Sequence, residues 1–109
     1  MGIMEIFSHT KEKSLAQSLV IQLAKDLPPA LMTAEKNRKV LSVNKITRLL
    51  EKTYALAYKY HQENKLGMIK RAILANFFKW ELKNANYPED FVNVATEGLI
   101  MELTKNVTK

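Results

Sequence analysis

The segment of residues 42–64 constrains the fold more than any other part of the chain. Stepped at about 100° per residue, it separates into an apolar side and a polar side, which is the pattern of an amphipathic helix. The apolar side covers more than half of the circumference, a width typical of a helix that touches several neighbours. We therefore expect a long central helix here. Its apolar side comprises Val43, Ile46, Leu49, Leu50, Thr53, Tyr54, Leu56, Ala57, Tyr58, Tyr60 and His61.

The composition indicates one globular domain over residues 1–109. Hydrophobic residues make up 47% and charged residues 26%, which is ordinary for a chain that forms a packed core. Only 3 Gly and 3 Pro are present, so long helices can run without interruption. The absence of Cys excludes disulfides, thiolate metal sites and Cys nucleophiles.

Helix start and stop signals divide the chain further. Residues 1–13 are expected to be loosely ordered, and Ser14 is predicted to cap a helix over residues 15–27. Pro28 ends that helix, because its ring and missing amide prevent continuation. Pro29 is well placed to begin a short connector helix over residues 29–37.

The second half of the chain predicts three long helices. Ser42 is the expected cap of the first, and residues 64–67 supply its stop. The next helix spans residues 67–84, and the last begins at Pro88 with acidic residues in its first turn. The predicted fold class is therefore all-α, a compact bundle of four main helices plus a short connector helix.

The helix predicted over residues 67–84 is apolar on nearly every side. One face carries Leu74, Phe78 and Leu82, and the other carries Ile69, Ile73, Phe77 and Trp80. A helix of this kind must be buried on both sides, and a small domain offers one core. We therefore predict self-association, with Leu74, Phe78 and Leu82, or the opposite face, at the contact.

The formal net charge of +6 comes from the middle of the chain. Residues 28–65 carry eight basic and three acidic side chains, residues 66–86 carry four and one, and residues 87–109 carry two and four. Four of the bases form a basic stripe on one helix: Lys45, Arg48, Lys52 and Lys59. Three interpretations stay open, namely a solvated face, a contact for an anionic partner, or attraction between basic and acidic parts of different subunits.

Residues 41–50, with the sequence LSVNKITRLL, resemble the recognition-helix half of a repressor-type helix-turn-helix. Such helices often place a hydrophobic residue four positions after an initial Ser and an Arg two positions later, as Ser42, Ile46 and Arg48 do. The resemblance implies that the first turns face the DNA major groove. The candidate nucleic-acid-binding residues are Asn44, Lys45, Thr47 and Arg48, extended along the basic stripe by Lys52 and Lys59.

Residues with catalytic or metal-binding chemistry form no recognisable motif. The chain has no glycine-rich phosphate loop, no His-Glu-x-x-His and no Gly-x-Ser-x-Gly. His61 falls on the apolar side of its helix, near Tyr58. It is either a general base oriented by a tyrosine or a histidine at the core edge, hydrogen-bonded to a neighbour. We favour the second, because no second ligand or nucleophile accompanies it.

These observations predict a small non-enzymatic helical protein that acts by binding, as a homodimer or as a subunit of a complex. The alternative is a nucleic-acid-binding regulator that uses the basic stripe. We expect no cofactor, no metal and no small-molecule substrate. The N-terminus has no signal-peptide pattern and no segment reaches the about 20 apolar residues of a membrane span. We therefore expect no membrane partner and a cytoplasmic location.

Overall fold

The computed structural model describes residues 10–33 and 43–105, and within these ranges all regular structure is helical. The predicted all-α bundle, with four main helices and a short connector helix, is confirmed. The helices are α1 (Thr10–Asp26), α2 (Pro29–Thr33), α3 (Val43–Asn64), α4 (Met68–Asn84) and α5 (Glu89–Thr104).

The four long helices surround one core. Helix α1 packs on α4 and α3, and α5 packs on the other side of the same two helices. Side-chain contacts give the directions. The hydroxyl of Tyr60, near the end of α3, donates to Oε2 of Glu12, near the start of α1. Nζ of Lys52, earlier in α3, lies 3.5 Å from Oδ2 of Asp26, the last residue of α1. Helix α3 therefore runs antiparallel to α1.

Helix α3 is not the central helix that its sequence pattern indicated. It packs mainly on α1 and α5, and the most extensive helix pair is α1 with α4. Leu56, on the predicted apolar side, is exposed at the edge of the groove between α1 and α3. The apolar side of α3 is wide because the helix contacts two neighbours, α1 and α5, at different positions around its circumference. Part of this apolar side remains exposed to solvent.

The core combines one face from each long helix. Helices α1 and α5 each bury one face, along which leucines and alanines recur at helical spacing. Burying one such side chain contributes about 1.5–3 kcal/mol. The fully buried large side chains are Leu19, Leu23, Leu27, Leu74, Phe78, Leu82, Val92, Leu99 and Leu103.

The start of α1 differs from the prediction. The helix begins at Thr10, so Ser14 is exposed inside it and does not cap a helix over 15–27. Residues 10–13 are likewise helical where a loose segment was expected. The carboxylate of Glu12 lies in the first turn, where it favours the positive end of the helix dipole. It is also buried against Tyr60, a contact that no local signal reveals.

The other helix ends agree with the prediction wherever they are described. Helix α1 ends before Pro28, and α2 begins at Pro29. Helix α3 ends at Asn64, and Lys65 takes the left-handed conformation, with φ 50°, in the turn that follows. Gly67 has an extended backbone and stands immediately before α4. Ser42, the predicted cap of α3, and the rest of the predicted connector helix lie outside the described residues.

Two tyrosine hydroxyls tie the helices together. Tyr87 donates to the carbonyl oxygen of Leu27, the residue at the end of α1, and is itself buried. Tyr54 on α3 donates to the carbonyl oxygen of Ala95 on α5 over 2.7 Å. Burial, joined at Tyr54 by the negative charge of Glu102, raises the pKa of each of these tyrosines to about 12.

Candidate binding surfaces

Helix α4 buries one of its two apolar faces in the chain's own core. Leu74, Phe78 and Leu82 have no exposed surface. These three side chains therefore have no area to offer a second copy, and the half of the prediction that places them at a contact is wrong for this fold. Truncating any of them would cost about 2–5 kcal/mol by opening a core cavity.

The opposite face of α4 is largely uncovered. Ile69 is 74% exposed and Trp80 52% exposed, with Ile73 half-buried between them. The spacings of four and seven residues place these three side chains on one side of the helix. We call them the α4 stripe. Phe77, the fourth residue of the predicted face, is half-buried and packs against the core. Exposed apolar side chains grouped on one helix face mark interaction surfaces more often than isolated ones do.

Lysines border the α4 stripe. Lys70 follows Ile69, and Lys83 lies three residues after Trp80, with its ammonium 5.0 Å from the centre of the indole ring. Helix α4 carries four basic side chains, Lys70, Arg71, Lys79 and Lys83, against one acidic side chain, Glu81. The α4 stripe is therefore apolar and has a lysine near each end.

A groove of about 440 Å³ runs between α3 and α5. We call it the α3–α5 groove. Leu50 and Tyr54 line its α3 side, and Val94 and Met101, 62% and 72% exposed, line its α5 side. Gly98 lies between the last two and allows Tyr54 to approach the α5 backbone. A Cβ atom at Gly98 would lie 2.9 Å from Cζ of Tyr54.

The charged groups at this groove are mostly carboxylates. Glu51 lines it from α3, and Glu97 is exposed on α5 between Val94 and Met101 in sequence. Glu102 and Lys105 also line the groove and pair with each other over 3.2 Å. Helix α5 carries four acidic and no basic side chains.

Val94 and Met101 were not predicted as site residues. Each lies outside the buried face of α5, and a single exposed apolar residue is ordinary on a protein surface. Their spacing of seven residues, which places both on one side of α5, is the signal that could have found them.

The basic stripe lies along the outside of α3. Lys45, Arg48, Lys52 and Lys59 are all exposed, and so are the other two predicted nucleic-acid-binding residues, Asn44 and Thr47. Lys52 forms the ion pair with Asp26, and Lys59 lines the groove between α1 and α3. Thr47 lines the α3–α5 groove on a different side of the helix from the stripe. The structure thus brings the four cations together and separates Thr47 from them.

His61 lies at the end of α3 with its ring edge against Tyr58, at 5.9 Å between ring centroids. Its Nδ1 atom is buried, and no described group forms a hydrogen bond with it, in contrast to the hydrogen bond expected for a core-edge histidine. Burial, and secondly the positive charge of Arg71, lower the pKa of His61. Within the described ranges, no three His, Cys, Asp or Glu side chains lie close enough to hold a metal ion.

A smaller cleft of about 150 Å³ lies between α4 and α5, lined by Met68, Arg71 and Ile100 among others. Pockets for small organic ligands usually occupy about 300–1,000 Å³, so this cleft is too small for one. Arg71 donates through Nη1 to the carbonyl oxygen of Leu103 at its inner end, over 3.3 Å. The cleft therefore works as part of the α4–α5 packing.

Comparisons with known proteins return nothing for this chain. No protein-family model matches it, no curated protein sequence matches it, and no solved structure matches its fold. Across residues 10–33 and 43–105, the helices are too short or too polar to cross a bilayer.

Proposed function

We propose that this protein acts by binding rather than by catalysis, and that it assembles with further copies of itself through the α4 stripe. The observation that carries the proposal is the exposure of Ile69 and Trp80 on one face of α4, beside the half-buried Ile73. Leaving these side chains in water forgoes about 25 cal/mol for each Å² of apolar area. Covering them with a second copy would recover that free energy.

Trp80 makes the stripe a good anchor for a protein contact. Tryptophan is among the residues most enriched at interface positions that dominate binding energy, because it buries a large rigid surface. Trp80 is also the single tryptophan of the chain, so its fluorescence reports on this one surface. Assembly through the stripe should therefore shift the emission to shorter wavelength as the protein concentration rises.

The test is a dilution series followed by light scattering, sedimentation and Trp80 fluorescence together. We expect the mean mass and the emission shift to rise with concentration along the same curve. Ile69→Glu should abolish both, because it replaces the most exposed side chain of the stripe with a charge. Ile21→Glu is the matched control, since Ile21 is 61% exposed on a different helix, α1, and the change should leave both unchanged.

Two results would contradict the proposal. One is a monomeric wild-type protein at the highest concentration reached. The other is assembly that responds equally to Ile69→Glu and Ile21→Glu, which would make it a general effect of added charge. Circular dichroism of each variant verifies that the helices are intact.

Nucleic-acid binding through the basic stripe is the second candidate function. Its support is that the four cationic side chains are exposed along one side of α3. Lys45 and Lys59 are 14 residues apart, which corresponds to about 21 Å at the helical rise. That length allows contacts to several phosphates, which supply most of the affinity in non-specific binding.

The test is a titration of labelled DNA and RNA at several salt concentrations. If the stripe binds, Arg48→Gln with Lys59→Gln should weaken binding and reduce the salt slope by about one unit for each lost phosphate contact. Lys13→Gln with Lys79→Gln removes the same charge from α1 and α4 and should leave the slope unchanged. Absence of binding by the wild-type protein at low salt would eliminate this candidate.

A further inference from the structure

We infer that the α4 stripe of one copy binds in the α3–α5 groove of the next copy, so that the contact is head-to-tail. This inference rests on the proposed function and names the surface that receives the stripe. Its basis is that the two surfaces are both apolar at the centre and carry opposite charge around the edge.

A symmetric contact between two α4 stripes is electrostatically unfavourable. Lys70 lies at one end of the stripe and Lys83 at the other. If two α4 helices paired antiparallel, Lys70 of one would face Lys83 of the other. If they paired parallel, each lysine would face its own equivalent. Either arrangement brings like charges together at an interface, which costs up to several kcal/mol when they are juxtaposed.

Binding of the α4 stripe in the α3–α5 groove avoids the repulsion between lysines. Glu97 is exposed on α5, between Val94 and Met101 in sequence, and Glu51 lines the groove from α3. Lys105 lines the groove as well, but its charge is paired with Glu102. Lysines at the ends of an incoming α4 stripe would therefore meet carboxylates, while Ile69 and Trp80 would cover Val94 and Met101. The basic stripe does not interfere, because it lies on another side of α3 from the residues that line the groove.

The shape of the groove also suits an aromatic side chain. Its volume of about 440 Å³ lies within the about 300–1,000 Å³ found for ligand pockets. Gly98 contributes no side chain to its α5 wall, and the ring of Tyr54 occupies that space. Trp80 of the incoming copy would therefore pack over the Tyr54 ring, beside Val94 and Met101.

A contact between two different surfaces can be tested by mixing two blocked variants. The stripe variant carries Ile69→Glu and Trp80→Glu and keeps its groove. The groove variant carries Val94→Lys and Met101→Lys and keeps its stripe. All four positions are more than half exposed, so the core stays intact. We expect each variant alone to be monomeric and an equimolar mixture to form a one-to-one pair.

Fluorescence makes the mixing experiment specific. The stripe variant contains no tryptophan, so all tryptophan emission in the mixture comes from Trp80 of the groove variant. The emission should shift to shorter wavelength only when the stripe variant is added. Adding the stripe variant with a further Glu97→Lys change should weaken the pair about tenfold or more, because lysine would then face lysine.

The outcomes separate this inference from the proposed function. If the groove variant alone assembles as the wild-type does, the groove is not the receiving surface, and the proposed function stands without this inference. If the stripe variant alone assembles as the wild-type does, or if the wild-type is monomeric, the proposed function fails as well. If both variants are folded and monomeric but do not pair, the head-to-tail contact is overturned.

A milder pair of variants guards against misfolding. Glu97→Lys alone changes one exposed side chain and should weaken wild-type assembly at low salt. Lys83→Glu in the same chain should restore it, since the charges are exchanged across the contact. Failure of the second change to restore assembly would count against the pairing of these two surfaces.

Discussion

At the scale of single residues, the contact between Gly98 and Tyr54 shows how one missing side chain positions two helices. Gly98 lies on the side of α5 that faces α3, and Tyr54 of α3 occupies the space that a side chain at this position would need. The tyrosine hydroxyl uses that space to reach the carbonyl oxygen of Ala95. The same contact forms one side of the α3–α5 groove.

Gly98→Ala should destabilise the protein by about 1–2 kcal/mol. Alanine would favour the helix by about 1 kcal/mol, but its Cβ would displace Tyr54 from its hydrogen bond and overpack the contact. Urea unfolding measures the net effect. The same change in a Tyr54→Phe background should cost less, because the hydroxyl is gone. Asn93→Ala, at an exposed position of α5, is the control for helix propensity alone.

At the scale of helices, local signals and tertiary contacts disagree at the start of α1. Serine is a favoured N-cap, which made Ser14 the apparent start. The structure continues the helix back to Thr10, with Glu12 buried beneath Tyr60 of α3. A contact with a residue 48 positions away thus extends the helix beyond the point that its own sequence marks.

Ser14→Ala should stabilise the protein by up to about 0.5 kcal/mol, since alanine is the better helix former inside a helix. If Ser14 were the cap, the same change would cost about 1 kcal/mol. Thermal or urea unfolding distinguishes the two cases by the sign of the change in stability. Ser18→Ala, at another exposed position of α1, should behave in the same way as Ser14→Ala. If Ser14→Ala lowered the stability and Ser18→Ala did not, the result would indicate that the helix starts at residue 15.

At the scale of the whole molecule, the four long helices depend on a few hydrogen bonds that cross between them. Tyr87 bonds the end of α1 to the turn before α5, and Tyr54 bonds α3 to α5. Both hydroxyls are neutral when they donate, and burial keeps them neutral by raising their pKa from 10.0 to about 12. The stability of the bundle is therefore linked to alkaline pH.

Stability should fall as the pH rises from 10 to 12. Because the folded state holds these protons more tightly than the unfolded state, their contribution is complete below the unfolded pKa of 10.0 and is lost towards the folded pKa of about 12. Urea unfolding across this range measures the slope. Tyr87→Phe should be less stable at neutral pH but should lose less stability in the alkaline range. If the stability of Tyr87→Phe fell as steeply with pH as that of the wild-type protein, the linkage between the Tyr87 hydroxyl and stability would be contradicted.

Much of the secondary structure follows from the sequence alone, because its causes are local. Pro28 and Pro88 mark helix ends through the geometry of the proline ring, and apolar spacing identifies the buried faces of α1 and α5. The same periodicity detects two apolar faces on α4. It cannot say which face enters the core, since Leu74 and Ile69 are equally apolar in a helical projection.

Only the tertiary structure decides that question, because burial depends on where the neighbouring helices stand. Helices α1 and α5 cover Leu74 and Phe78 and leave Ile69 and Trp80 in water. The α3–α5 groove likewise joins Glu51 to residues more than 40 positions later in the chain, and no local pattern predicts that they meet. The sequence by itself determined the helices and their apolar faces, and the packing of those helices decided which faces remain for a partner.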